Sequence, residues 1–189
     1  MFNKTFFATT FAATTAVLGL SAGIASAENP MVGGAAMFAD KTIVENAVNS
    51  KDHETLVAAV KAAGLVDVLN SEGPFTVFAP TDDAFGMLKD GTVEALLEPA
   101  AKEQLANILK CHVVGAEAMS MAIKGMVDDD GGVHPVPTLG TCTLQATYEG
   151  DKIMLEDERG RIINVTIADV DQSNGVIHVV DRVILPPQS

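Results

Sequence analysis

Two spacings of apolar residues divide the chain. From about residue 41 to about residue 124 the apolar positions recur every three or four residues, the period of a helix with one buried face. Thr42, with Glu45 three residues on, has capping-box spacing, and Ile43, Val44, Ala47 and Val48 follow at helical intervals. Ser50 or Asp52 is placed to cap a longer helix carrying the stripe Leu56, Val57, Val60, Leu65, Val68 and Leu69, which Gly73 and Pro74 end. A brief buried strand, Phe75 to Ala79, comes next. After Pro80, the hydroxyl of Thr81 predicts the cap of a short helix with Phe85 and Leu88. Thr92 caps a further turn with Val93, Leu96 and Leu97. Pro99 stands where a first helical residue is tolerated, ahead of Leu105, Ile108 and Leu109.

In the C-terminal third the period falls to two. Cys142, Leu144, Ala146 and Tyr148 alternate with Thr141, Thr143, Gln145 and Thr147, which predicts a strand with one buried face and Cys142 on it. The turn Glu149 to Asp151 leads to Ile153, Met154 and Leu155, and the charged turn Asp157 to Gly160 leads to a strand with Ile163, Val165 and Ile167 on one side. Asn174 and Gly175 signal a hairpin before the apolar run Val176 to Leu185. Helices first and an antiparallel meander second predict one α+β domain over residues 41–187. Residues 28–40, rich in Gly, Ala and Met and without a period, predict an extended N-terminal arm.

Residues 1–27 have a different pattern: Lys4, then an apolar and small-residue stretch, then Ala25, Ser26 and Ala27, the A-x-A spacing of a signal-peptidase site. A membrane anchor is the competing reading, since the stretch approaches the roughly 20 residues that span a bilayer. The small-residue content and the cleavage site favour a signal peptide and a periplasmic or secreted mature chain that does not span the membrane.

The formal charge is −13, from 12 Lys and Arg against 25 Asp and Glu, and losing a leader with one Lys and no acid makes it more negative. Nucleic acid is excluded as a partner, because that affinity comes from Lys and Arg neutralising phosphates. Four of the 8 Phe fall in the leader and there is no Trp, so a base-stacking platform is absent as well.

Export bears on the two cysteines, because the compartments outside the cytoplasm are oxidising. Cys111 and Cys142 are expected to pair; two buried thiols or a metal site are the alternatives. His53 opens a helix and reads as surface, and His134, before Pro135, reads as loop. His112 and His178 read as neutral imidazoles bonded within the fold. Asp128, Asp129 and Asp130 lack the ligand spacing of a calcium loop and read as a solvated turn. Met119, Met121 and Met126 read as apolar filler rather than a copper site. Asn164 and Thr166 complete a glycosylation sequon. No hydrolase elbow, Walker loop or dinucleotide motif occurs, and no cofactor or metal is expected.

Two segments are specific in combination. Gly73 to Phe85 reads GPFTVFAPTDDAF, and Asn174 to Pro187 reads NGVIHVVDRVILPP. They resemble the first and second signature motifs of the fasciclin domain, with matching spacing, and the resemblance extends over roughly residues 38 to 187 as one copy. The motif positions are Thr76, Phe78, Pro80, Thr81 and Phe85 in the first, and Gly175, His178 and Asp181 in the second. Ile108 to Val114, ILKCHVV, is similar to a third landmark, normally a Tyr-His pair. Cys111 stands in the place of the Tyr and His112 is kept, so a Cys111–Cys142 bridge would tether this segment instead.

The resemblance implies a wedge of antiparallel strands with helices packed at its edge, the two motifs lying near one another in the core. It also implies an extracellular adhesion or interaction module without catalytic activity. Some animal members of that family bind integrins through an Asp-Ile pair just before the second motif, and the matching positions are Asp169 and Val170. The expectation is thus an exported module that binds a cell-surface or matrix protein or polysaccharide. The alternative is a periplasmic small-ligand or metal-binding protein using His112, His134 or the methionines.

Overall fold

The computed structural model describes residues 29–187, so the expected signal peptide at 1–27 lies outside the described residues. The helices come first: α1 (Ile43–Ala47), α2 (Glu54–Ala63) and α3 (Val66–Leu69) precede strand β3 (Phe75–Pro80). Next come α4 (Asp82–Gly86), α5 (Thr92–Leu97), a 3-10 turn at Pro99–Ala101, α6 (Lys102–Lys110), strand β4 (Val113–Val114) and α7 (Ser120–Asp129). Thr42 caps α1 in a reciprocal capping box with Glu45, and the Thr81 hydroxyl accepts from the Ala84 N–H to cap α4. At α2 the expectation fails: His53 occupies the cap position, without a side-chain capping bond.

Strands then dominate: β5 (His134–Pro137), β6 (Thr143–Glu149), β7 (Lys152–Glu156), β8 (Ile162–Gln172) and β9 (Gly175–Val180). With β3 and β4 they form a 7-stranded sheet in the order β4-β3-β9-β8-β7-β6-β5. The fold is α+β. One pairing departs from the expected antiparallel arrangement: β3 and β9 run parallel, with Phe78 opposite His178. Both strands are covered on both faces, and such strands read as continuous apolar runs rather than alternations. Period alone therefore carried no sign of their direction.

This central pair separates two apolar cores. Val77, Ala79, Ile177 and Val179 face the helices and join Leu56, Val60, Leu105 and Leu109. Phe78 and Val180 face the other way, toward Leu144, Leu155, Ile163 and the inner side of α7, Ile123 and Val127. The close approach of β3 and β9 requires Gly175: at φ 149°, a Cβ there would stand 2.0 Å from the Phe75 carbonyl oxygen.

The N-terminal segment is not an extended arm. Met31–Val32 (β1) and Ala35–Ala36 (β2) form an antiparallel hairpin, and Val32 and Met37 are buried in the helical core. Asn46 anchors it, its amide donating to the Phe38 carbonyl while its carbonyl accepts from the Phe38 N–H. Asn174 is also more than a turn former. It is buried, its carbonyl accepts from the Ile43 N–H, and its amide donates to the carbonyls of Leu69 and Ser71, closing the ends of α1 and α3.

Candidate functional site

Two of the motif residues, Thr76 and His178, converge on one loop. Thr76, buried on β3, donates its hydroxyl proton to the Ala116 carbonyl at 2.6 Å and accepts from the Ala118 N–H at 2.8 Å. His178, buried on β9, donates from Nε2 to the Ala118 carbonyl at 2.8 Å and accepts at Nδ1 from the Asp169 N–H at 3.2 Å. This fixes a neutral ring protonated at Nε2. Burial pushes its pKa down, against smaller upward pulls from the Ala118 carbonyl and Asp169. The ring also stacks on Phe78, centroids 5.7 Å apart. Thr76 and His178 thus clamp the segment that leads into α7.

Asp169 completes the clamp. It sits in β8 at φ 57°, within the second of two register shifts that interrupt the pairing with β9. A bulge of this kind breaks the in-out alternation. Ile167 and Val170 both face the helical core, and Ala168 and Asp169 are both exposed. The Asp169 carboxylate accepts from the backbone N–H of Ser120 at 2.6 Å and from its hydroxyl. Helix α7 has no capping side chain of its own at Met119, so Asp169 supplies the cap from a distant strand. The Tyr148 hydroxyl donates to the Ser120 carbonyl at 2.5 Å. Beside this fixed residue, Met121 is 75% exposed.

The expected pair therefore divides. Asp169 is at the surface but engaged within the fold, and Val170 is 0% exposed, so it offers no side-chain atom to a partner. Sequence alternation could not reveal this, because the bulge turns one position over.

His112 is engaged at both ring nitrogens. Nδ1 donates to the Ile108 carbonyl at 2.8 Å, and Nε2 accepts from the Ile184 N–H at 2.9 Å, tying the end of α6 to the segment after β9. Complete burial pushes its pKa down to about 4, the Ile108 carbonyl opposing and Arg161 assisting. Beside it the Cys111–Cys142 disulfide joins the end of α6 to the start of β6. Asp181 accepts from both the backbone and the side-chain amide of Asn164, at 2.8 and 2.7 Å. The sequon asparagine is consequently occupied. Pro80 and Phe85 are buried around the first motif.

Two histidines were misplaced by sequence reasoning. His53 is buried, its Nδ1 hydrogen-bonded to Ser50 Oγ at 2.8 Å, because the turn before α2 tucks the ring under the helix. His134 is in β5, not a loop, and pairs with Asp130 at 2.6 Å. Of the three methionines, Met126 packs against the second core as expected, while Met121 projects outward. Among the described residues no three His, Cys, Asp or Glu side chains converge as metal ligands do, and no helix is long and apolar enough to cross a membrane.

The two motif strands lie side by side at the centre of the sheet, and residues 51–186 match the Fasciclin domain family. The chain belongs to the fasciclin domain family. It is 43% identical over 164 residues to Protein sll1483 of Synechocystis sp., covering 85% of this chain and 82% of that protein. It is also 38% identical to the transforming growth factor-beta-induced protein ig-h3 of Sus scrofa over 70% of its length, but spans only 17% of that larger protein. Among solved structures, a FAS1 domain pair from the insect cell adhesion molecule Fasciclin I superposes with a TM-score of 0.69 at 21% identity. That match covers 77% of this chain and 51% of the other, and it shows the shared fold. The relatives fit an adhesion-type fasciclin module.

Proposed function

We propose that the chain is an exported, non-catalytic fasciclin module, periplasmic or secreted, that binds a cell-surface or matrix protein or polysaccharide. The binding face in this reading is the bulge at Ala168 and Asp169 with the first turn of α7. The observation that carries it is the Asp169 carboxylate holding Ser120 next to the outward-facing Met121. A pre-ordered surface with a projecting apolar side chain loses little entropy on binding. Asp169 acts in it as a positioning residue, and Val170 as the buried peg beneath. The absence of catalysis is supported by His112 and His178, whose ring nitrogens are all engaged within the fold.

Because the chain is strongly acidic, approach to an anionic envelope requires a bridging cation or a specific contact. The purified chain is expected to bind intact cells or matrix saturably in divalent salt and weakly in chelator. Non-saturable binding that is indifferent to both would overturn the reading.

A further inference from the structure

On the helical side of the sheet, between α1, α2 and the strands, lies a cavity of about 60 Å³. Leu56, Val60, Leu69, Val77, Val113 and Ile177 line its buried part. The volume is several times the roughly 10–15 Å³ that one water needs, and an apolar lining of this kind stays dry. Protein interiors keep few voids of that size, because wall atoms facing empty space forfeit their packing contacts. An apolar occupant would restore those contacts.

The cavity is not sealed. Half-buried Val44, Ala47, Val57 and Val66 line its outer part, with exposed Lys61 beside them. The buried polar side chains of the wall are turned to the fold rather than to a ligand: Ser50 and His53 Nδ1 bond to each other, and backbone groups hold both ring nitrogens of His112. His53 Nε2 is inaccessible from the cavity. Lys61 differs. It is the one charged side chain of the lining, it stands in the last turn of α2, and among the described residues it joins no ion pair. An exposed lysine lays its stem along apolar surface and keeps its ammonium in water. The site is therefore apolar within and positive at one point of its rim, on a chain whose formal charge is −13.

We propose that this cavity binds a free medium-chain alkyl carboxylate, its inner methylenes filling the buried part and its outer ones lying against Val57 and Val66, with the carboxylate on the Lys61 ammonium. A polar group is excluded from the inner end by the cost of burying it without a partner. At the rim a carboxylate stays hydrated and gains an opposite charge. An alkyl ammonium of the same length would meet Lys61 as a like charge.

The test is calorimetric titration of the full chain with octanoate and with octylammonium, which has the same tail length and the opposite charge. General attraction to an acidic chain favours octylammonium, so the site reveals itself by the reverse order. Octanoate is expected to bind saturably at one site, about fivefold tighter than octylammonium, the worth of one exposed ion pair. Affinity should rise about fourfold per methylene from butanoate through hexanoate to octanoate as apolar surface is buried. Ala47→Phe, which fills the outer part of the cavity, should abolish octanoate binding in the folded chain. Lys61→Glu, at an exposed position that puts no folding at risk, should reverse the preference between the two probes. No saturable octanoate binding, octylammonium binding as tightly as octanoate, affinity independent of tail length, undiminished binding by folded Ala47→Phe, or a preference unchanged by Lys61→Glu would each overturn the proposal.

Discussion

Asp169 caps Ser120. A carboxylate on a strand bulge accepts from the first N–H and the hydroxyl of a helix 49 residues earlier in the chain, and its own N–H is held by His178. Replacing Asp169 by Ala removes the cap and leaves an unfavourable φ of 57°. The expected cost is about 1 kcal/mol for the cap, with a further contribution from the backbone. Asp169→Asn, which tolerates that conformation and keeps one acceptor, should lose less. Urea unfolding of the two variants against the parent checks the order.

The buried imidazole of His112 makes the fold sensitive to acid. Its folded pKa of about 4 lies below its ordinary 6.5, so the unfolded chain binds a proton more readily. Its contribution is present in full above about pH 6.5 and is lost as the pH falls toward 4, amounting to about 3 kcal/mol over that interval. His53 and His178 shift in the same direction, so they steepen the loss. Asp157 acts only at lower pH: burial would raise its carboxyl, but hydrogen bonds from Arg161 and Arg159 outweigh that and hold it low, so its stabilisation is intact down to its ordinary 3.8 and is lost below that. Thermal unfolding between pH 7.5 and 4 should show a falling midpoint, and His112→Gln should flatten part of the slope.

Reduction is expected to weaken the chain without dissolving its fold. The Cys111–Cys142 bridge closes a loop with a sequence separation of 31, worth about 3–4 kcal/mol in the chain-entropy account. It also fixes the place where Gly140 packs so close that a Cβ would sit 2.9 Å from the Cys111 sulfur. Reductant, or Cys111→Ala with Cys142→Ala, should lower the unfolding midpoint while the circular dichroism of the folded chain stays unchanged.

Much of this architecture was legible in the apolar spacing. The capping box at Thr42 and the alternation of Cys142, Leu144 and Ala146 each marked an element correctly, because each has one face in a core and one in water. Spacing failed where a residue's surroundings came from distant chain. β3 and β9 are buried on both sides, so their parallel pairing left no period to read. The hairpin of β1 and β2 has two-residue strands, too short for any pattern. His53 was assigned by its place at a helix start, whereas the Ser50 turn carries it inward. Val170 was named as a partner-binding position by its match to the Asp-Ile pair of the resemblance, and beside the bulge it is buried. Asp169 itself was found, but its partner Ser120 carried no signal in a sequence read one segment at a time.

The proposed interaction face is tested most directly by comparing saturable binding of the parent chain, Met121→Glu and Ile162→Glu to intact cells or matrix in divalent salt. Met121 projects beside Ser120, while Ile162 is an exposed apolar residue at the start of β8, outside that face. The account predicts that Met121→Glu lowers affinity at least tenfold, about 1.4 kcal/mol, while Ile162→Glu binds like the parent and both variants unfold at the parent's midpoint. Equal binding by all three chains, or a loss confined to Ile162→Glu, would contradict it.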